Sequence, residues 1–465
     1  MIFSFSLLGG LLGCSPTPGA FPPPHPHLAD SAWPQAHGSS YAQGSSPEPG
    51  LESADASIEL VDVGLPTLMI LFEPDGRHAW GANPLEVFRI AIDDSVRVVA
   101  RAPAGGGFDD LFGGAYTLLD ADHRFLTTNR AAIRVYEADS PESIALTATF
   151  ELSDPREGET LRGLGLTYDG ALITASSRGR VLALDRWTLE VLSTLELDAE
   201  ISNNLAIDEN GGVYLVTSEA MERVQWTGTR LSREPTDGAW TAAYATGSED
   251  LAAGRLGVGS GSTPSLLQVD DDALVVITDG QPLMHLVAFW RDAIPEGWTP
   301  PDGLDPRTAA SVPIRFGDPD ATTSASEQSV LIMGDGALVV NNDYGDAVGF
   351  EPIAVGVAPP GIEKHVWNAR KNRFEPAWVV PDVSCPNGIP TASAASDLMY
   401  CAGKRGDSWT IEAIDWSSGE PVFHLETGEG LAYNSVYAAT EIGPDGGIWT
   451  GSFAGIVRAR PTSPR

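Results

Sequence analysis

Polar side chains stand directly before a series of apolar runs, and these are the residues whose types could do chemistry. In SNNLAID, Asn203 and Asn204 precede an alternating apolar stretch, and GSGSTPSLL, SEQSVLI and AYNSVY repeat the arrangement. If each apolar run is the strand nearest a common axis, the preceding side chains form one ring of hydrogen-bond donors and acceptors around that axis. The ring predicted in this way consists of Arg162, Asn203, Asn204, Ser262, Thr263, Glu327, Gln328, Asn387, Tyr433 and Asn434.

Two kinds of ligand suit such a ring. Oxygen atoms of Asn204, Glu327 and Asn434 would serve as ligands of Ca²⁺, which takes about six to eight oxygens in proteins. Alternatively, Arg162 would pair with the carboxylate or sulfate of an organic ligand on which Tyr433 stacks. A third interpretation is structural, in which these side chains bridge neighbouring strands and hold buried water. The residues alone leave the three interpretations open.

Catalytic combinations are sparse in this sequence. The histidines are scattered over different strand positions, and none recurs at the spacing of metal ligands. His285, in the alternating run QPLMHLVAF, is the first choice for a general base, although a histidine there is more often a structural residue. No Gly-x-Ser-x-Gly turn precedes a predicted helix. We therefore favour a protein that is not an enzyme.

The elements that must position the ring are predicted from residue 57 onward. An apolar strand, a tight turn such as Asp169-Gly170 or Asn210-Gly211, and two or three further strands recur eight times. Hydrophobic residues make up 42% of the chain, which is enough for a large core. We predict an all-β fold, a single eight-bladed β-propeller with seven blades as the second choice. The strand SIELVDVG (57–64) is expected to close the ring by pairing with the last blade.

The N-terminal residues predict export. Residues 1–14 form a short apolar run ending in Leu-Leu-Gly-Cys, which resembles the signal peptide of a bacterial lipoprotein with Cys14 as the lipidated residue. An ordinary signal peptide is the alternative. Residues 15–56 are rich in Pro, Ser and Gly and predict a disordered tether, so that the propeller spans 57–465. Cys385 and Cys401 are expected to form a disulfide in an oxidising compartment, with a free pair as the alternative.

The net charge restricts the partners. A charge of −35 excludes nucleic acid and direct binding to anionic lipid, which both require Lys and Arg. We expect a monomer that binds a small molecule or an envelope protein and reaches the membrane only through its lipid anchor. The expected location is the outer membrane, the periplasm or the cell surface.

Two stretches carry a resemblance to a known family. GRVLALDRWTLEVLSTLEL (179–197) and SWTIEAIDWSSGEPVFHLETG (408–428) resemble the repeats of PQQ-like, or quinoprotein-type, propellers. The chain from about residue 200 also resembles exported bacterial propeller lipoproteins. Adjacent cysteines and repeated docking tryptophans of the quinoprotein enzymes have no counterpart here, so PQQ is not expected as a cofactor. SNNLAIDENGG is locally similar to Ca²⁺-dependent lactonase propellers.

These observations lead to two functional hypotheses. The first is an exported, lipid-anchored propeller that binds a ligand or a protein through the mouth of its central channel, as a scaffold does. The alternative is a Ca²⁺-dependent hydrolase, lactonase or lyase with its site at the same mouth.

Overall fold

The eight tight turns of the sequence each connect the first and second strands of a sheet. The computed structural model describes residues 21–462 apart from 108, 109, 111, 249–252, 256, 302, 346, 348, 350, 387 and 436. At Gly170 and Gly211 the backbone adopts φ values of 96° and 81°, which glycine reaches without a Cβ clash. Such turns reverse the chain within two residues and so start an antiparallel sheet. Two strands, β1 (Ser45–Ser46) and β2 (Ala56–Asp62), precede the first of these sheets.

Eight antiparallel sheets form the blades of a propeller, as the sequence predicted. In each blade the first strand lies nearest the axis, and the later strands follow outward. Blades 1 to 4 contain, in chain order, β3 (Ile70–Phe72), β4 (His78–Ala82), β5 (Glu86–Ile92), β6 (Val96–Pro103); β7 (Thr117–Leu119), β8 (Phe125–Asn129), β9 (Ala132–Ser140), β10 (Ser143–Glu151); β11 (Leu161–Leu166), β12 (Ala171–Ser176), β13 (Arg180–Asp185), β14 (Val191–Glu196); β15 (Ala206–Ile207), β16 (Gly212–Val216), β17 (Ala220–Trp226), β18 (Leu231–Ser232) and β19 (Trp240–Ala243).

The second half of the ring repeats the pattern. A four-residue helix, α1 (Glu351–Ala354), lies between two strands of blade 6, and none of the helices in the described ranges is long and apolar enough to cross a membrane. Blades 5 to 8 contain β20 (Ser265–Val269), β21 (Asp272–Thr278), β22 (His285–Trp290), β23 (Thr308–Pro313); β24 (Leu331–Met333), β25 (Gly336–Val340), β26 (Pro360–Asn368), β27 (Arg373–Ser384); β29 (Thr391–Ser393), β30 (Leu398–Arg405), β31 (Ser408–Asp415), β32 (Pro421–Glu429); β33 (Ala438–Ile442), β34 (Ile448–Gly451) and β35 (Gly455–Pro461). The two-residue strand β28 (Gly388–Ile389) precedes β29 in the chain but pairs parallel with β33, so it belongs to the sheet of blade 8.

The ring is closed by the N-terminal strand, as predicted. Strand β2 pairs antiparallel with β35 from Ala56 opposite Pro461 to Asp62 opposite Gly455. Blade 8 therefore takes its outermost strand from the start of the chain. This pairing joins the two ends of the propeller and covers the edge that β35 would otherwise expose.

The cores lie between neighbouring blades. In β13, Val181 and Ala183 pack toward blade 4, whereas Leu182 and Leu184 pack toward blade 2. Successive side chains of a strand point to opposite faces, so a blade with a neighbour on each side must be apolar on both faces. This arrangement explains the near-continuous apolar runs of the sequence.

Residues 25–51, here named the axial segment, fill the centre of the ring. Backbone carbonyls of Trp33, Ser40, Tyr41 and Gln43 accept hydrogen bonds from the inner strands of blades 1, 4, 5 and 6. Ala29 donates to the inner strand of blade 2. The axial segment contacts blade 3 through the ring of His25, which hydrogen-bonds the carbonyl of Leu166. It contacts blade 7 through the parallel pairing of β1 with β29. It contacts blade 8 through packing of Ala36 on Ala438 and Ala439.

The prediction of a disordered tether over 15–56 is therefore wrong for the described part of that range. Trp33 is 1% exposed, and Leu28, Tyr41 and Leu51 are buried as well. The inner edge of each blade would leave backbone groups without partners, and the axial segment supplies partners for them. The segment lacks apolar periodicity because it crosses eight blades and offers a different side chain to each. Residues 1–20, with the predicted signal peptide and Cys14, lie outside the described range.

Candidate functional site

The starts of the inner strands form one face of the propeller, here named the mouth face, and the predicted ring lies there. The opposite face, with the turns between first and second strands, is the turn face. Asn204, Ser262, Thr263, Gln328 and Asn434 are each at most 2% exposed. Asn203 and Glu327 are also buried, whereas Arg162 and Tyr433 are partly exposed. Asn387 lies outside the described residues.

The two asparagines of SNNLAID connect blades. The Asn204 side-chain oxygen accepts a hydrogen bond of 3.0 Å from the backbone N–H of Leu164 in the neighbouring blade. The Asn203 amide donates to the carbonyl of Ser260, at 3.3 Å, in the loop that leads to the next blade. Asn204 thus reaches back along the ring and Asn203 reaches forward. Both side chains hold adjacent blades together at the mouth face.

Three further ring residues make the same kind of connection. The Ser262 hydroxyl lies 2.9 Å from that of Thr278 and 3.2 Å from the carbonyl of Gln328 in blade 6. The Gln328 amide donates to the carbonyl of Pro386, at 3.1 Å, in the loop before blade 7. The Thr263 hydroxyl lies 3.0 Å from Nε2 of His37 in the axial segment. These contacts agree with the structural interpretation of the ring.

The three predicted Ca²⁺ ligands are each engaged with protein groups. Glu327 forms a 2.8 Å ion pair with Arg255, in which both side chains are nearly buried. Asn434 donates to the carbonyl of Ile353 at 2.7 Å. Since the Asn204 oxygen accepts from Leu164, a metal at these groups would have to replace existing bonds.

Within the described residues, the one cluster with metal-ligand spacing lies on the turn face. Its ligand atoms, from Glu73, Asp75 and His78, lie within 4.8 Å of one another. Both Glu73 oxygens accept hydrogen bonds from Arg89, at 2.7 and 2.8 Å, and Asp75 accepts from the His78 ring at 2.7 Å. The arginine supplies the positive charge that a cation would bring, so these contacts satisfy the cluster without a metal.

His285 is paired with a buried carboxylate. Its Nδ1 lies 2.9 Å from Oδ2 of Asp279, and its backbone N–H donates to Oδ1 of the same residue at 2.8 Å. The two bonds close the connection between β21 and β22. These contacts give His285 a structural place in this turn, and its choice as a general base stays a prediction.

Arg162 lines a cleft of about 500 Å³ on the mouth face, here named the Arg162 cleft. Its lining also includes Phe112, Tyr116, Arg178, Glu200, Ile201, Ser202 and Val258. The cleft lies off the axis, where loops of blades 2 to 5 meet. Tyr433, the predicted stacking residue, packs instead against Gly428 of β32. The aromatic partners of Arg162 are therefore Phe112 and Tyr116, which the sequence did not single out.

The positions of the cleft side chains are fixed by a few contacts. The Tyr116 hydroxyl donates to the carbonyl of Ser202 at 3.1 Å. Burial raises the pKa of Tyr116, and the adjacent positive charge of Arg162 acts in the opposite direction. Arg178 pairs with Glu200, whereas none of the described carboxylates forms an ion pair with Arg162. The Arg162 cleft thus presents a neutral wall and one cation that has no ion-pair partner among the described carboxylates, although the negative charge of Asp110 also acts on Tyr116.

The predicted disulfide is present. Cys385 and Cys401 are bonded, and both are completely buried between blades 6 and 7. The bond ties the loop after β27 to β30. It thereby joins two blades that are connected in the chain by the short strands β28 and β29.

Comparison with known proteins gives one relative in sequence and many in fold. No family model matches the chain. A protein of Archaeoglobus fulgidus described as uncharacterized is 38% identical over 470 residues, covering 96% of this chain and 90% of that protein. The chain belongs to the same family.

The solved structures with similar folds are propellers of low sequence identity. A quinohemoprotein alcohol dehydrogenase from Comamonas testosteroni matches with a TM-score of 0.58 and 11% identity, covering 95% of this chain and 81% of that chain. A europium-containing methanol dehydrogenase has a TM-score of 0.58 and 12% identity, with coverage of 90% and 89%. BamB from Moraxella catarrhalis has a TM-score of 0.51 and 12% identity, with coverage of 87% and 95%. The fold is therefore similar to the β-propellers of these quinoprotein dehydrogenases and of BamB.

The residues present do not fit a planar quinone cofactor on the propeller axis. The axial segment occupies the centre of the ring, with Trp33, Ala36 and Ala42 each 1% exposed. A cofactor there would have to displace this segment and its backbone hydrogen bonds. The disulfide partners are 16 residues apart and lie between blades, not next to each other on the axis.

Proposed function

We propose that the protein is a binding or scaffold module that acts through its mouth face. One observation carries the proposal: the axial segment bonds to the inner strands of the blades and fills the channel. A ligand on the axis would compete with this segment of the chain itself. Of the surfaces that remain, we favour the mouth face for a partner, because its loops are supported by the ring of blades.

The loops of the mouth face are braced against one another. Gly254, in the loop before β20, donates to Gly349, in the loop after β25, at 3.0 Å. The Tyr437 hydroxyl donates to the carbonyl of Gly254 at 2.7 Å. Three loops from separate blades are thus held in one arrangement. A pre-ordered surface of this kind loses little entropy when it binds a partner.

Exposed apolar side chains occupy the same face. Val355 is 68% exposed and Val357 44% exposed, both directly after α1, and Leu431 is 47% exposed before β33. Asn434 connects the two loops through its hydrogen bond to Ile353. Apolar side chains surrounded by a polar surface are typical of protein-protein contacts. We therefore infer a protein partner for this part of the mouth face.

Export and lipid anchoring through Cys14 are part of the proposal. The apolar residues before Cys14 support a signal peptide. The buried disulfide supports folding in an oxidising compartment such as the periplasm or cell surface. Replacing Cys14 by Ser should release the protein from the membrane fraction into the soluble fraction. Continued sedimentation with membranes would contradict the anchor.

Site-specific photo-crosslinking in intact cells tests the mouth face. A photoreactive residue at Val355 should give a discrete crosslinked product, and this product should disappear when Val357 is changed to Asp. Leu192, which is 48% exposed on the outer strand β14, provides a matched control position. If Leu192 gives the same product as Val355, or if Val357→Asp leaves the product intact, the mouth face is not the binding surface.

A further inference from the structure

The Arg162 cleft has the chemistry of a carboxylate site. We propose that it binds a carboxylate group that is attached to an apolar or aromatic moiety. This inference deepens the proposed function, since it rests on the use of the mouth face for binding. Its occupant is distinct from the protein that covers Val355 and Val357, which lie outside the lining of the cleft.

The charge of the cleft is opposite to that of the protein. Among its described lining residues are two arginines, Arg162 and Arg178, and one carboxylate, Glu200. Glu200 is paired with Arg178, which leaves the positive charge of Arg162 in excess. The whole chain carries a net charge of −35. A local excess of positive charge in such an acidic protein favours binding of an anion at this cleft, whereas the protein as a whole does not attract anions.

Arg162 is also placed to use its charge. It is partly exposed at the second position of β11, in the irregular stretch between the paired residues Leu161 and Leu164. A guanidinium presents two parallel N–H donors to a carboxylate, and such charge-assisted bonds are stronger than neutral ones. Arg162 is a hydrogen-bonding neighbour of the Tyr116 side chain, whose hydroxyl donates to the carbonyl of Ser202. A guanidinium carries five N–H donors, so a bond to Tyr116 leaves donors for a ligand.

An apolar wall lies next to this cation. Phe112 and Tyr116 are partly exposed in the cleft, and Phe112 is held by an edge contact with Tyr437 at 6.5 Å between ring centres. Val258 completes the wall from the loop before β20. Aromatic faces favour stacking with a flat apolar group. The volume of about 500 Å³ suits a ligand of small-molecule size or the end of a peptide.

Two sources would supply this chemistry: a free aromatic acid, or the C-terminus of a polypeptide that ends in an apolar residue. Titration calorimetry on the full chain distinguishes them with four probes. The probes are 3-phenylpropanoate, 3-phenylpropanamide, N-acetyl-Gly-Phe with a free C-terminus, and the same peptide as its amide. Binding of the small acid alone identifies a free acid as the ligand, and binding of the peptide acid alone identifies a C-terminus. Binding of both acids shows that the carboxylate is the shared determinant.

The expected preference for acid over amide is about 10-fold or more, because hydrogen bonds to charged groups are worth about 1.5–3 kcal/mol. Arg162→Met should lower the affinity for the acid to that for the amide, and Arg162→Lys should restore part of it. Arg97→Met, on the outer strand β6 with an exposed 3.7 Å ion pair, is the control that should bind as the wild type does. Thermal unfolding of each variant checks that the propeller is intact.

Three outcomes would overturn the proposal: equal affinity for acids and amides, unchanged binding in Arg162→Met, or no binding of any probe at millimolar concentration. The calorimetry measures binding of the probes to the purified chain without a protein partner. The crosslinking at Val355 detects a protein partner without any added carboxylate. Failure of the cleft and failure of the mouth-face interaction are therefore seen separately.

Discussion

Acid should weaken the protein through His37, which lies in the axial segment. Its side chain is buried, and Nε2 lies 3.0 Å from the hydroxyl of Thr263 at the start of blade 5. Burial lowers the pKa of His37 from 6.5 to about 4. The folded chain therefore holds this imidazole neutral, whereas the unfolded chain protonates it below pH 6.5. The stability that this difference provides is complete above pH 6.5 and is lost as the pH falls toward 4.

The size of the effect follows from the two pKa values. Each pKa unit corresponds to about 1.4 kcal/mol, so at pH 4.5 the protonation of the unfolded chain removes about 2.5 kcal/mol from the free energy of unfolding. The pKa of His25, which is half-buried in the axial segment, is lowered to about 4 for the same reason. Together the two histidines remove a large part of the roughly 5–15 kcal/mol that stabilises a typical domain.

Urea unfolding at pH 7.5 and pH 4.5 measures this loss in wild type and in His37→Asn. Asparagine is chosen because residue 37 has a φ of 63°, a conformation that asparagine tolerates. The variant should lose about 2.5 kcal/mol less than wild type between the two pH values. His123→Asn is the matched control: residue 123 also has a φ of 63° but is exposed. If His37→Asn and wild type lose the same stability, the axial segment does not hold a buried histidine in the channel.

Three further outcomes are expected. Burial raises the pKa of the Glu441 carboxyl well above its usual value, so the folded chain holds this carboxyl neutral. The protein therefore loses stability as the pH rises above about 4.5, where the unfolded chain ionises the same group. Glu441→Gln should show a smaller loss of melting temperature between pH 5 and pH 8 than wild type. Trp33→Ala should cost about 3–5 kcal/mol in urea unfolding and open residues 25–51 to limited proteolysis, whereas a disordered tether would show neither effect. Replacing Cys385 and Cys401, which are 16 residues apart, by Ser should cost about 3 kcal/mol; an unchanged melting temperature under reducing conditions would contradict a stabilising disulfide.

The blades could be predicted because their pattern is local. A strand such as β13 shows apolar residues on both faces, and the turn before it contains a glycine with positive φ. Both features depend on residues within one hairpin, so they are visible in the sequence. The closing strand SIELVDVG was also predictable, since an unassigned strand at one end fits an incomplete blade at the other.

The candidate site was predictable only in part. Polar residues before the inner strands do meet at the mouth face, but the partners of these residues come from other blades. Asn204 bonds to Leu164 and Gln328 to Pro386, and the sequence does not show which loop residue lies opposite. Phe112 and Tyr116 were missed because they stand in an irregular loop with no periodicity. The one sign of the cleft in the sequence was the presence of these two aromatic residues close together just before β7.

The axial segment was mispredicted for a physical reason. Composition rules test whether a segment can bury one continuous apolar face, and residues 25–51 have no such face. The segment is ordered because its carbonyls and a few isolated side chains, such as Trp33 and Tyr41, each complete a different blade. Its order thus depends on the assembled ring, and no local pattern reports that dependence.

The N-terminal residues close the ring at two radii. Residues 25–51 bond to the inner strands at the centre, and β2 pairs with β35 at the outer edge of the last blade. Separation of blade 8 from blade 1 would break the β2 pairing, and movement of any blade away from the axis would break a bond to the axial segment. Both closures therefore oppose the same opening of the ring. The start of the chain therefore stabilises the closed ring, which fits our proposal that a partner binds the mouth-face loops without a change in the ring.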